Sequence, residues 1–382
     1  MTARMVVLIV DALGWELAGR HPGFASSLEH RRRLDTILGF SSGALPTLFT
    51  GRLPREHGRW LMYRRACGPG PFAGFQWTRA LPERVQRSAA LSRLLTRLVE
   101  ARGVRGYFHL YEVPRWLLPE FDLAEREDIF RPGGLPGGAL WDTIAALAVR
   151  WRAWNWRTPE SENLIELERC VAAGEEAVMV CYTADLDARL HHEGSSGAGV
   201  RERLERYAGL IGRLERAADG GSPLWIYIVS DHGMVDVRAT ADVMRRLEPL
   251  RVRWPADYLA FFDSTMARFW WRTPRARREV EAALADEPAG RWLDDDAMTL
   301  AGADFRGHEY GEAIFLLDPG VLMVPSFMGS GEVRAMHGYD PSHPDMAALL
   351  LSNRPVPEGV RHLKDVRGFL ESELRALVSE AA

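Results

Sequence analysis

Six acidic and histidine side chains, spread over four short stretches of the sequence, are of the types that bind divalent metal ions. The stretches read "VVLIVDALGW", "DLDARLHHEG", "VSDHGM" and "MHGYD". The six residues are Asp11, Asp187, His191, Asp231, His232 and His337. Zinc accepts carboxylate oxygens and imidazole nitrogens as ligands. Six ligands are too many for one tetrahedral ion but suit two ions that share a nucleophile, so the set predicts a two-metal centre.

Each of these residues, taken alone, also has a structural explanation. A single aspartate at the end of a strand, such as Asp11, is most often a helix cap. Asp187 and His191 share one face if their stretch is helical, yet a solvated pair on a helix has the same spacing. Asp185 and His192 are neighbours of the same types, and spacing alone does not exclude them. It is therefore the joint pattern that favours metal chemistry.

Three short apolar runs lead into three of these stretches and have the length of buried strands. They are "MVVLIV" (5–10), "EAVMVCYT" (176–183) and "LWIYIVS" (224–230), and the segment 200–218 has the apolar periodicity of an amphipathic helix. Strands that alternate with helices predict an α/β fold with a mostly parallel central sheet flanked by helices. Because ligands bind at the carboxyl ends of such strands, the polar residues that follow the runs are expected to meet there.

Two regions interrupt this alternation and are expected to be insertions. Residues 63–160 are rich in Arg and Trp, and we expect them to form a cap over the site. Residues 241–335 combine apolar stretches with a charged helical segment, which predicts a small α+β subdomain. The metal-binding core is then expected to comprise 1–62, 161–240 and 336–382.

Composition and charge narrow the classes of function. The 382-residue chain is 47% hydrophobic and has a formal net charge of −4, so it has no global basic field to favour a nucleic-acid partner. Its three cysteines fit neither a disulfide framework nor a zinc spacing and favour a reducing compartment. The first apolar run is too short for a signal peptide or a membrane span. We therefore expect a cytoplasmic protein without a membrane span; the sequence predicts no oligomeric state.

The motifs, in their order, resemble the alkaline phosphatase superfamily, and most closely its type I phosphodiesterase/nucleotide pyrophosphatase branch. They are "VVLIVDALGW", "FSSGALPTLFTGRLPREHG", "DLDARLHHEG", "VSDHGM" and "MHGYD", and the core resemblance extends from residue 6 to about 353. The resemblance implies an alkaline-phosphatase-like sandwich. It also implies a metal-dependent hydrolase or phosphoryl transferase that acts on a phosphodiester or a nucleotide-type pyrophosphate, with a small phosphate ester as its partner.

The resemblance also assigns the six ligands to two divalent ions, which are typically zinc, with manganese in the mutase relatives. One ion is expected on the first ligand group, and the other on the second. The first ligand group is Asp11, Asp231 and His232, and the second ligand group is Asp187, His191 and His337. The family's spacing from aspartate to histidine selects Asp187 and His191 over Asp185 and His192.

The resemblance places the nucleophile nine residues before the threonine of the "TG" pair, which is Thr50. That position is Ser41, which is then also expected to contact a metal ion, and Ser42 is the competitor. A divalent ion activates a bound hydroxyl by lowering its pKa. The backbone N–H groups of Ser42 and Gly43, leading into a helix, are expected to hold a phosphate oxygen. Without the metal ligands, the same stretch reads as a plain helix cap.

Substrate contacts and alternative functions complete the expectations. Arg268, in "STMARFWW", lies on an alternating strand and can face the cleft, although a structural role is the competing explanation. A phosphomonoesterase or a phosphoglycerate-mutase-like phosphotransferase would use the same two-metal site and needs extra cationic groups for a dianion. A catalytically silent scaffold is disfavoured because all six ligands and a serine are present.

Overall fold

The structure is a computed structural model that describes residues 3–218 and 222–381. Its strands are β1 (Arg4–Val10), β2 (His30–Leu34), β3 (Tyr63–Arg65), β4 (Phe121–Leu123), β5 (Trp151–Trp154), β6 (Val178–Thr183), β7 (Leu224–Val229), β8 (Val235–Asp236), β9 (Ala239–Ala241), β10 (Tyr258–Phe262), β11 (Met266–Trp271), β12 (Gly290–Trp292), β13 (Ala313–Leu317), β14 (Val321–Met323), β15 (Ala335–Met336) and β16 (Ala348–Ser352). Its α-helices are α1 (Trp15–Gly19), α2 (Ser41–Thr50), α3 (Pro54–His57), α4 (Glu83–Gln86), α5 (Ala89–Ala101), α6 (Leu140–Ala146), α7 (Glu160–Ala173), α8 (Asp185–Glu193), α9 (Ala198–Ala218), α10 (Val243–Leu247), α11 (Pro274–Ala285), α12 (Asp295–Leu300) and α13 (Asp365–Ala381).

A six-stranded sheet in the order β2-β16-β7-β1-β6-β5 forms the centre of the fold. Strand β1 pairs in parallel with both β6 and β7, and β5 pairs in parallel with β6. Strand β16 runs antiparallel to β7 and to β2. The predicted α/β fold with a mostly parallel central sheet is therefore confirmed, and the three apolar runs form its strands β1, β6 and β7.

Helices cover both faces of this sheet, which explains why its central strands are apolar throughout. Every residue of β1 is buried. Val7 and Ile9 pack into a cluster with helices α2, α6 and α13, whereas Val6 and Leu8 pack into a second cluster with α7, α8 and α9. This alternation follows from the two-residue period of a strand. The sheet is thereby fixed from both sides, and its carboxyl edge can hold side chains rigidly.

The region 241–335 contains a four-stranded antiparallel sheet, in the order β10-β11-β13-β12. Its apolar residues share one core cluster with the first part of the 63–160 region. For example, the ring of Phe261 lies 5.0 Å from the rings of both Tyr63 and Phe121. The two expected insertions thus pack against each other.

One expected boundary needs correction. Strand β5 lies inside the region expected to be a cap, yet it pairs with β6 as an edge strand of the central sheet. A four-residue strand rich in Trp and Arg is too short to be distinguished by composition, and pairing with a strand far along the chain decides its place. Within the described residues, no helix is both long and apolar enough to cross a membrane.

Candidate active site

The first ligand group lies at the carboxyl ends of the neighbouring strands β1 and β7. Asp11 directly follows β1, and its N–H donates to the carbonyl of Thr183 at 2.9 Å. Asp231 lies just beyond β7, and its Oδ1 accepts hydrogen bonds from the N–H groups of His232 (3.0 Å) and Ala12 (3.3 Å). These backbone contacts fix the carboxylates to the sheet edge.

His232 presents a free nitrogen to this group. Its Nδ1 lies 2.9 Å from the carbonyl oxygen of Gly233, which can only accept, so Nδ1 carries the proton. Its Nε2 then directs a lone pair toward the carboxylates, 3.2 Å from Asp231 Oδ2 and 3.5 Å from Asp11 Oδ1. This is the tautomer that a metal-ligating histidine needs.

The second ligand group combines one helix with a distant loop. Asp187 and His191 are four residues apart on α8, and His191 Nε2 lies 3.3 Å from Asp187 Oδ1. His191 Nδ1 lies 2.8 Å from the carbonyl oxygen of Ala335, which fixes the same tautomer as in His232. His337 follows β15, and its Nε2 lies 3.7 Å from Asp187 Oδ1.

The two groups are adjacent. The rings of His232 and His337 stack with their centroids 3.9 Å apart. In each group, one ligand atom from every residue lies within 4.8 Å of the others. Of the competing residues, Asp185 forms an ion pair with Arg203, and His192 is exposed. The structure therefore brings together the six predicted residues and leaves both competitors outside.

Without a cation, the close approach of two buried carboxylates in the first ligand group is electrostatically unfavourable. Asp11 is 3% exposed and Asp231 is fully buried. Burial, followed by repulsion from Asp231 and Asp187, raises the pKa of Asp11 well above its usual value. The hydroxyl of Tyr182 donates to Asp11 Oδ2 and relieves only part of this effect. A bound cation would compensate carboxylates that are held this close together.

Unpaired buried atoms point to the same conclusion. Within the described residues, Asp231 Oδ2, Asp187 Oδ1 and His337 Nδ1 are buried and have no hydrogen-bond partner. Buried polar atoms normally have one, so atoms that lack it within a carboxylate and imidazole cluster fit a metal ion. The side chains present thus fit divalent metal ions.

The hydroxyls of Ser41 and Ser42, at the start of α2, have different partners. Ser41 Oγ lies 2.9 Å from His232 Nε2 and 3.5 Å from Asp11 Oδ1. Ser42 Oγ instead donates to the carbonyl of Trp60 at 3.2 Å. Only the first hydroxyl of the pair is therefore directed at the ligand groups.

The expected role of Gly43 needs correction. Its N–H donates to the carbonyl of Phe40 at 2.9 Å and is not free for a phosphate oxygen. Its missing side chain serves a close backbone approach, because a Cβ at this position would lie 2.5 Å from the carbonyl oxygen of Trp60. The N–H of Ser42 has no partner within the described residues and remains available at the helix N-terminus.

Arg268 does not face the cleft, which corrects the second substrate expectation. It is fully buried in β11, where its Nε lies 2.7 Å from Asp263 Oδ2. Its Nη1 donates to the carbonyls of Tyr63 (2.8 Å) and Tyr310 (3.3 Å). The guanidinium therefore joins the two packed insertions.

The "HG" end of the serine motif contacts α2 through His57. The N–H of Arg59 donates to His57 Nδ1 at 3.2 Å, so the proton lies on Nε2, 3.0 Å from Thr47 Oγ1. Thr47 Oγ1 in turn donates to the carbonyl of Gly43 at 2.9 Å. Burial, with Arg52 and Arg59, lowers the pKa of His57 to about 3, which keeps it neutral in this role.

Sequence reasoning missed Tyr182, the residue that contacts Asp11 from the end of β6. A tyrosine within the apolar run "EAVMVCYT" reads as an ordinary strand residue. The pairing register of β6 with β1 would have indicated this contact. Tyr182 pairs with Ile9, two residues before Asp11, so its side chain lies near the end of β1.

Comparisons with known proteins concern the family and the fold. The model of the family "Type I phosphodiesterase / nucleotide pyrophosphatase" matches residues 5–340. No curated protein matches the sequence. Murine ectonucleotide pyrophosphatase/phosphodiesterase 5 is similar in structure with a TM-score of 0.68 at 14% identity, covering 97% of this chain and 95% of the other. The human protein gives a TM-score of 0.66 at 13% identity, with the same coverage.

A further solved structure is an inactive variant of the murine protein in complex with AMP. It gives a TM-score of 0.66 at 13% identity, covering 99% of this chain and 95% of the other. At such low identity these structures show a shared fold. The family model spans most of the sequence, including all six ligand candidates. The chain belongs to the type I phosphodiesterase/nucleotide pyrophosphatase family.

Proposed function

We propose that the chain is a hydrolase that cleaves a phosphodiester or nucleotide-type pyrophosphate by using Ser41 as its nucleophile. The observation that carries the proposal is the position of Ser41 Oγ, 2.9 Å from His232 Nε2 and 3.5 Å from Asp11 Oδ1. A serine hydroxyl at the edge of a metal-ligand group is placed for activation, whereas Ser42 Oγ is bound to a backbone carbonyl.

Each ligand group would hold one divalent ion, with zinc as the expected metal and manganese as the alternative. When bound, such ions lower the pKa of a hydroxyl and neutralise charge on phosphoryl oxygens. Ser41 Oγ loses its proton to solvent and forms a bond to phosphorus in line with the leaving oxygen, whose bond to phosphorus breaks and which takes up a proton from solvent. Water then attacks the phosphoseryl ester and releases Ser41. The free N–H of Ser42 is placed at the helix N-terminus, where an anionic oxygen is favoured.

The position of Arg268 supports a diester over a monoester as the substrate class. A phosphomonoester is a dianion and needs additional cationic groups, which the alternative monoesterase or mutase function would require. Arg268, the arginine expected to face the cleft, is buried against Asp263. This favours a singly charged diester, and the AMP complex of the murine neighbour favours a nucleotide-type leaving or transferred group.

Hydrolysis of bis-p-nitrophenyl phosphate and of p-nitrophenyl phosphate tests the proposal on zinc- and manganese-loaded protein. The diester should be cleaved faster, Ser41→Ala should abolish cleavage, and the matched control Ser42→Ala should retain it. Preference for the monoester would move the protein to the phosphatase or mutase alternative. Activity that survives in Ser41→Ala but not in Ser42→Ala would show that the other serine is the nucleophile. No activity together with no bound metal would support the silent scaffold.

A further inference from the structure

A buried carboxylate from another helix caps the helix that carries Asp187 and His191. Glu160 is the first residue of α7, and its Oε2 accepts a hydrogen bond from the N–H of Asp185 at 3.0 Å. Asp185 is the first residue of α8, and the preceding residue, Ala184, contributes no side-chain cap. An anionic group at this position satisfies an otherwise free N–H and interacts favourably with the helix dipole.

Arg203 of α9 ties the same two residues together. Its Nη1 lies 3.2 Å from Glu160 Oε1, and its Nη2 lies 2.8 Å from Asp185 Oδ2. Tyr207, one turn further along α9, donates its hydroxyl to Glu160 Oε1 at 2.8 Å. The side chains of Glu160 and Arg203 are only 6% and 10% exposed. Three helices are thus joined at the N-terminus of α8.

In this arrangement Arg203 contacts α8 on the side of Asp185. Successive residues of an α-helix are about 100° apart, so Asp185 and Asp187 lie about 200° apart around it. Holding Asp185 against α9 therefore directs Asp187 to the opposite side, toward the first ligand group. His191, four residues after Asp187, lies on the same face.

A small rotation of α8 would displace its ligand atoms by more than a metal site tolerates. A side-chain atom about 5–6 Å from the helix axis moves by about 1 Å when the helix turns by about 10°. Metal–ligand distances tolerate only about 0.2 Å. A buried ion pair adds little net stability, because the loss of hydration offsets the attraction between the charges. Fixing an orientation is therefore the effect that this pair can supply.

We infer that Glu160 and Arg203 are positioning residues that hold Asp187 and His191 in the orientation needed to bind the second metal ion. The inference rests on the proposed function, since it takes the second ligand group as a metal site. Glu160 would thus support the second metal site from the start of α7 without being a metal ligand itself.

Cobalt titration of the metal-free full-length protein, followed by visible absorption, tests this inference. The wild type should show two binding steps, assigned by their loss in Asp231→Asn (first group) and His191→Ala (second group). Glu160→Ala should weaken the second-group step about 10- to 100-fold, as typical for partners of metal ligands, and leave the first-group step unchanged. A generally structural role would weaken both steps together.

Two further variants keep the test decisive. Arg189→Gln is the matched control, since Arg189 pairs with Glu193 at 3.2 Å elsewhere on α8, and both steps should remain unchanged. If Glu160→Ala does not fold, Glu160→Gln keeps an acceptor oxygen and loses the charge, so a smaller loss confined to the second step is expected. Unchanged affinity, or equal weakening of both steps, would overturn the inference. Fewer than two steps in the wild type would refute the two-metal proposal, and this inference with it.

Discussion

The two ligand groups of the candidate site are built on different parts of the fold. The first group follows two neighbouring strands of the central sheet and is almost inaccessible, whereas the second group lies on α8 and a loop and is partly exposed. Its Asp187 and His191 side chains are 21% and 24% exposed. Strand ends inherit their position from the sheet, but a helix must be oriented by its neighbours, as Glu160 and Arg203 do for α8.

The groups also differ in their internal charge. In the first group two carboxylates face one imidazole, and the pKa of Asp11 is raised by burial and by Asp231 and Asp187. In the second group burial alone would raise the pKa of Asp187, but His191 and His337 hold it below its usual range. The carboxylates of the first group therefore repel each other, whereas the single carboxylate of the second group lies beside two imidazoles.

The largest expected effect is the loss of turnover when the first group loses a charge. Asp231→Asn keeps the acceptor for the N–H groups of Ala12 and His232 but removes a negative ligand. We expect kcat to fall by about 10³-fold or more, equivalent to about 4 kcal/mol of transition-state stabilisation. Steady-state hydrolysis of the diester by the metal-loaded variant measures this. Activity within about tenfold of the wild type would contradict the role of the first group.

Glu125 sharpens the comparison because it is a buried carboxylate outside both groups. It accepts the N–H of Tyr107 at 2.8 Å, and burial raises its pKa from 4.5 to about 7. A carboxylate whose folded-state pKa is raised loses stability as pH rises through the interval between the two values. Glu125→Gln should therefore gain about 2 kcal/mol over the wild type between about pH 5 and about pH 8.

Urea unfolding of both proteins at the two pH values, with and without zinc, measures this gain. Because Glu125 belongs to neither ligand group, the gain should be the same in the presence of metal. A gain that disappears with zinc would show that Glu125 is coupled to the site.

The smallest expected effect is on the free energy of unfolding, which should change with opposite sign when each ligand group loses a carboxylate. Without metal, Asp231→Asn should raise the free energy of unfolding by about 1 kcal/mol, since it removes repulsion with Asp11. The matched substitution Asp187→Asn should lower it by a similar amount, since it removes the carboxylate that raises the pKa of His191 and pairs with it. Urea unfolding of the metal-free variants near pH 7 measures both changes. Changes of the same sign would contradict the difference between the groups.

The sequence predicted the features that depend on local sequence, namely the strands with continuous apolar runs and the polar residues that follow them. Continuous apolar runs identified β1, β6 and β7, and the polar residues after them form the first group and most of the second. The choice of Asp187 over Asp185 came from the family's spacing. The physical reason appears only in the fold, where Arg203 holds Asp185 on the other side of α8.

Features that depend on distant parts of the chain were not predictable in this way. Nothing near Tyr182 in sequence shows that its hydroxyl meets Asp11. Arg268 alternates on its strand as a cleft residue would, but Asp263 and two carbonyls enclose its guanidinium. Gly43 reads as a phosphate-binding glycine, yet its backbone is pressed against Trp60. Each of these outcomes was decided by tertiary packing.

The central claim is that Ser41 attacks phosphorus at the first ligand group. Acid quenching of metal-loaded protein during turnover of bis-p-nitrophenyl phosphate, followed by peptide mass spectrometry, tests it most directly. The account predicts a p-nitrophenyl phosphate ester on Ser41, absent from Ser41→Ala and present in Ser42→Ala. An adduct on Ser42, or undiminished turnover in Ser41→Ala without any adduct, would contradict it.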